Sequence, residues 1–120
     1  MARALTLRLL GSVAAIIPER KQVHHSIRNA LDAKESTSLV ELDAAIFAAG
    51  KFAGESETFS VNVCHKISDM VGGHSTSLDM KIKLISVFQV CSSHIILESV
   101  SVNVLYMQFY YLSISHIVSF

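Results

Sequence analysis

Along residues 1–89, apolar positions recur three and four apart in five stretches, separated by polar or glycine-containing breaks. Over 2–17, Leu5, Leu9, Leu10, Val13, Ile16 and Ile17 fall in one broad helical arc. Arg8 points away from that arc. Ala4, Gly11 and Ala15 lie on another side, where small residues admit a neighbouring helix. Pro18, which lacks an N–H and restricts the residue before it, ends this stretch. A second helix is predicted over 21–33, with Val23, Ile27, Ala30 and Leu31 on one face. "KESTS" then breaks the pattern and offers Ser36, Thr37 and Ser38 as N-caps.

A third helix is predicted over 39–53, striped by Leu39, Leu42, Ile46, Ala49 and Ala53 and favoured by its alanines, with Gly54 at the turn. A fourth follows over 56–71, with Phe59, Val63, Ile67, Met70 and Val71 inward and Gly72 as a left-handed C-terminal residue. Thr76 and Asp79 form a capping box for a fifth helix over 78–89, striped by Leu78, Ile82, Ile85 and Phe88 or Gln89.

The order helix, short turn, helix, longer break then repeats. A shift of 39–40 residues lays Leu7 and Gly11 on Ile46 and Gly50, and Val23, His25 and Ile27 on Val63, His65 and Ile67. Helical hairpins of this period point to an all-α solenoid of the HEAT or armadillo kind, here about two and a half hairpins. An irregular helical bundle is the alternative.

Charge changes the picture at one point. All ten Lys/Arg and nine of the ten Asp/Glu lie in residues 1–89, leaving Glu98 alone in 90–120. The chain therefore divides into a helical-repeat segment, 1–89, and a divergent hydrophobic tail, 90–120. The last 21 residues, "VSVNVLYMQFYYLSISHIVSF", carry no formal charge. Their length admits a membrane span, whereas Asn103, Gln108, His116 and four serines argue against one, and the β-branched and aromatic content also suits strands. The net charge of zero gives no footing for a basic nucleic-acid surface.

Candidate chemistry is sparse. The two cysteines, Cys64 and Cys91, stand far apart and outside any CxxC, so neither a disulfide scaffold nor a zinc framework is read. Cys64, at the edge of an apolar face, is expected to be a buried structural thiol. His24 and His25 point about 100° apart on a helix, and His65, His74, His94 and His116 are scattered; all are read as surface or helix-flank residues. "GGH" at 72–74 lacks the pattern of a phosphate loop, and Glu55 and Glu57 suit a helix N-terminus better than a catalytic pair. No catalytic residue, cofactor-binding residue or metal ligand is assigned, and an enzyme is not expected.

Several blocks carry a resemblance: "ARALTLRLLGSVAAIIPERK" (2–21), "HHSIR" (24–28) with "LD" (31–32), "AAIFAA" (44–49), "CHKISDM" (64–70) and "LDMKIKLI" (78–85). Taken in order, they resemble the Integrator complex subunit 7 family over residues 2–89. The resemblance implies an α-solenoid and a non-catalytic scaffold subunit of a nuclear assembly. That assembly cleaves small nuclear RNA 3′ ends and attenuates RNA polymerase II transcription, with its nuclease in other subunits. It implies partners among the other Integrator subunits and carries over no site residue.

The family protein is much longer, and here Met1 stands where an upstream helical region is expected. The resemblance stops at about Gln89. A valine codon begins with GT, as an intron does, so residues 90–120 are expected to be read from intron or misannotated sequence. A solenoid piece without its neighbours is expected to be marginally stable and prone to associate. The alternative function is a small organelle-targeted or membrane-anchored protein. In that reading "MARALTLRLLGSVAA" is the address and the tail the anchor; Arg8 interrupts the apolar run that a signal peptide needs.

Overall fold

The computed structural model describes residues 2–32, 38–73 and 77–95, with backbone alone for 92–95. Five helices follow one another: α1 (Ala2–Ser12), α2 (Lys21–Asp32), α3 (Leu39–Glu55), α4 (Glu57–Gly72) and α5 (Leu78–Ile95). No strand occurs among the described residues, as the all-α reading expects. α3 is the hub, packing against each of the other four, and α4 also packs along α5.

Composition explains the hub. Ala44, Ala45, Ala48, Ala49 and Ala53 are buried on several sides of α3, with Ile46 and Phe52 between them. Small side chains lose little entropy in a helix and let neighbours come close. Ser38 starts α3, its Oγ accepting from the Glu41 N–H at 3.2 Å. The helix continues through Gly54, where a turn is predicted, and ends at Ser56. That residue caps two helices at once: its N–H donates to Phe52 O at 2.8 Å, and its Oγ accepts from Phe59 N at 3.1 Å. Buried Ser60 closes the joint, its hydroxyl lying 2.9 Å from Ala53 O and 3.1 Å from Ser56 O.

Three predicted features differ. α1 ends at Ser12, six residues before Pro18. After Ser12 three-residue bonds enter, as in Val13 N to Leu10 O, Ala14 N to Gly11 O and Ile16 N to Val13 O, with one four-residue bond from Ile17 N to Val13 O. β-branched Val13, Ile16 and Ile17 hold this stretch weakly helical, and Pro18 bars Ile17 from helical geometry. The second difference is the face α1 buries. Ala4, Leu7 and Gly11 turn inward, with Ala14 after them, while Leu5, Leu9 and Ile16 are 63%, 62% and 77% exposed. The small-residue side meets the neighbour; of the larger apolar arc, Leu10 and Ile17 pack against the core edge and the rest looks outward. Third, α5 runs on to Ile95 and buries Met80, Leu84, Val87, Phe88 and Cys91, so Ile82 is exposed and Leu78 only half-buried.

Helix ends differ in detail as well. Gly72 is the last residue of α4, and Gly73 follows at φ −75°, so no left-handed glycine terminates it. Ser77 caps α5, its Oγ accepting from Met80 N at 3.3 Å. Ser36, Thr37, Thr76, His74 and everything after Ile95 lie outside the described residues, and with them the membrane-span and strand readings of the tail. Among the described residues, no helix is long and apolar enough to cross a membrane.

The core joins all five helices around Phe52, Phe59, Phe88, Ile27, Ile67 and Leu84, each fully buried. One polar ring enters it. His24, 4% exposed, stands 5.6 Å from the Phe52 ring and 5.0 Å from the Phe59 ring, centroid to centroid. Its Nε2 lies 2.6 Å from the Pro18 carbonyl. The surface reading of His24 is therefore wrong. A buried imidazole needs a partner, and the bent link before α2 supplies a free carbonyl. His25 and His65 are exposed, as predicted, and His25 bonds Asn29 at 3.1 Å.

Candidate interaction surface

The odd-numbered helices lie side by side, α1 on α3 and α3 on α5, and share an open cleft of about 500 Å³. Its base is apolar: Ile46 and Gly50 from α3, Val87 from α5. Its polar groups come from all three helices. Asp43, Phe47 and Lys51 stand four apart along α3 and therefore form one row. Arg8 reaches in from α1 and Lys83 from α5.

Asp43 ties these helices together. One carboxylate oxygen accepts from Arg8 at 2.6 Å, the other from Lys83 at 2.5 Å. Lys83 has a further, looser carboxylate in Asp79 at 3.7 Å, four residues before it. The hydrogen bond that the Lys83 ammonium donates to Asp43 raises it above its ordinary range, so it is charged at any physiological pH. Phe47 draws two cations: Arg8 Cζ is 5.2 Å and Lys51 Nζ 5.6 Å from its ring centroid. Three cations thus gather around one aromatic ring and the carboxylates of Asp43 and Asp79. These side chains are largely solvated, and pairs of that kind add little to stability.

A second cleft of about 400 Å³ opens beyond Phe47 and Lys51, between Ala14 and Glu55. It exists because α1 and α3 approach closely at Gly11. A β-carbon on Gly11 would lie 3.0 Å from Phe47 Cε1 and 3.1 Å from Ala48 Cα. Gly50, its counterpart 39 residues on, faces the next odd helix in the same manner, with 3.4 Å to Val87 Cγ2. The outer side of α1 and the turn after it add a second kind of surface, the exposed Leu5 and Leu9 followed by Val13 and Ile16. On the opposite side, Lys66 of α4 pairs with Asp32 of α2.

The thiols lie away from both clefts. Cys64 and Cys91 are free and buried, as the apolar edge of α4 suggests for Cys64. Burial raises both, Cys91 to about 12, which keeps them as neutral thiols instead of nucleophiles. Among the described residues, no group of three His, Cys, Asp or Glu side chains is placed to hold a metal ion.

Arg8, Asp43, Phe47, Lys51 and Lys83 are not singled out by motif, because they come from three helices. The signal present in the sequence is the row Asp43, Phe47, Lys51, which interrupts the alanines of α3.

Among the described residues the chain is a small all-helical unit with open clefts and an exposed apolar helix face. Comparison with known proteins shows its relations. A family model described as Integrator complex subunit 7, N-terminal, matches residues 1–105, and the chain belongs to that family. Integrator complex subunit 7 of Homo sapiens is 53% identical over 89 residues, that of Drosophila melanogaster 47%, and the homolog of Dictyostelium discoideum 36%. The match covers 74% of this chain in each, but only 9%, 9% and 8% of the relatives, so the chain spans about a tenth of their length.

Proposed function

We propose that this chain is a non-catalytic scaffold segment of the nuclear Integrator assembly. It contributes helix faces to contacts with other Integrator subunits, in the service of small nuclear RNA 3′-end processing and transcription attenuation. Family membership supports the assembly. The observation that carries the scaffold reading is the repetition of packing at a fixed offset. Leu7 and Ile46 are equally buried, Gly11 and Gly50 each face the next odd helix, and Ala14 and Ala53 are buried 39 residues apart. Forty residues apart, Ile27 and Ile67 are fully buried, while His25 and His65 are exposed. Repeating units whose first helices stack in one layer are the building principle of a HEAT- or armadillo-like solenoid. The exposed row on α1 is then the face on which a neighbouring helix packs.

Co-precipitation of the tagged full chain from nuclear extract tests this. Integrator subunits are expected in the eluate in excess over a tag-only control. Their absence, with the chain itself recovered in soluble form, overturns the reading.

A further inference from the structure

The odd-helix cleft has a chemistry of its own, and we infer that it docks an acidic segment of a partner protein around an apolar anchor side chain. The inference rests on the scaffold reading and names the kind of partner that one face takes. Three features of the cleft argue for it together.

First, shape and base. Ile46, Gly50 and Val87 make an apolar base, and Gly50 leaves open the space that a larger side chain would fill. About 500 Å³ is room for one or two side chains of a peptide, such as leucine or phenylalanine. Phe47 offers that anchor an aromatic neighbour.

Second, charge. Arg8, Lys51 and Lys83 surround this base, against Asp43 in the lining and Asp79 beside Lys83 at 3.7 Å, which leaves one cation in excess. Lys51 contacts the Phe47 ring, and no carboxylate is seen paired with it among the described residues. That excess suits a carboxylate beside an apolar anchor.

Third, the position of Asp43. It already holds Arg8 and Lys83 in place, so their heads are ordered before a ligand arrives and less entropy is lost on binding. The same carboxylate stands in the middle of the lining. It would repel the continuous phosphate backbone of a nucleic acid, which needs a stripe of uncompensated cations. A peptide can place its apolar side chain on the base of Ile46, Gly50 and Val87 and its acids toward Lys51 and the outer cations.

The test uses the purified full chain and four fluorescein-labelled probes, followed by anisotropy. The first is a dodecapeptide rich in Asp and Glu with a central Leu-Phe pair. The second has the same apolar pair among Asn and Gln. The third is a twelve-nucleotide single-stranded RNA, and the fourth a labelled copy of the chain itself. The acidic peptide is expected to bind most tightly and to weaken several-fold as salt rises. Lys51→Glu and Lys83→Glu are each expected to weaken it about three- to ten-fold. Circular dichroism should show unchanged helix content, since both side chains are exposed. Ser86→Trp, on the rim, should weaken both peptides by occupying the anchor space.

Equal binding of the neutral peptide, tighter binding of the RNA or of the second copy, absence of binding, or indifference to Lys51→Glu in folded protein would each overturn the inference. All components are purified, so such a failure leaves the nuclear co-precipitation result standing. Conversely, peptide binding persists in the tube even if no Integrator subunit is recovered.

Discussion

The link between α1 and α2 and the link between α3 and α4 are built differently. α3 and α4 are separated by Ser56 alone, which ends one helix and starts the next. α1 and α2 are separated by residues 13–20, which turn in short steps and carry Pro18. The one-residue joint satisfies its backbone locally, through Ser56 and Ser60. The longer link leaves the Pro18 carbonyl to be met from elsewhere, and the core supplies His24. Forty residues after His24 stands Cys64, also buried. The short joint closes on its own serines, and the long one is met by a polar ring in the core.

The largest effect expected falls on the α4–α5 side and depends on pH. Burial holds the Cys91 thiol neutral up to about 12, against 9.0 for the free group. Between those values the unfolded chain releases a proton that the folded chain retains. Stability should therefore fall as pH rises from about 9, at up to ~1.4 kcal/mol per unit, reaching about 4 kcal/mol near pH 12. Guanidinium titrations at several alkaline pH values check this. Cys91→Ala lowers stability at neutral pH but should show a shallower alkaline slope; parallel slopes would refute the assignment.

Next come the joints themselves. His24→Ala removes a buried hydrogen bond and ring contacts with Phe52 and Phe59, and should cost about 3 kcal/mol. Ser56→Ala removes one capping oxygen but keeps the backbone bond to Phe52, and should cost about 1 kcal/mol. Denaturant midpoints measure both, and a reversed order would break the comparison of the two links.

The smallest contrast concerns the paired glycines. Gly11→Ala presses on Ala48 Cα, part of the backbone, and should cost about 1–2 kcal/mol. Gly50→Ala meets only the Val87 methyl at 3.4 Å and gains helix propensity, so its effect should lie within about 0.5 kcal/mol of zero. Equal thermal shifts for the two variants would show that the α1–α3 contact is no tighter than the α3–α5 contact.

Much of this architecture is legible along the chain because it is local. Three-and-four spacing, serine caps and alanine content mark five helices, and the starts of α2, α3 and α5 fall where the pattern puts them. α4, with one dominant apolar face, buries the predicted Phe59, Val63, Ile67 and Val71. The family is legible too, from ordered blocks spread over 88 residues.

Three things required the tertiary structure. Periodicity states that α1 has faces but not which one meets a neighbour, and closeness to α3 selected Ala4, Leu7 and Gly11 over the larger arc of Leu5 and Leu9. The burial of His24 follows from a carbonyl presented by a separate turn, which no spacing rule contains. The cleft assembles Arg8, Asp43, Phe47, Lys51 and Lys83 from three helices that are neighbours only after folding. Short-range rules write helices because their hydrogen bonds close within four residues. Faces, partners and clefts are decided by packing between segments dozens of residues apart, where the closeness of approach at one glycine outweighs the greater hydrophobicity of the opposite side.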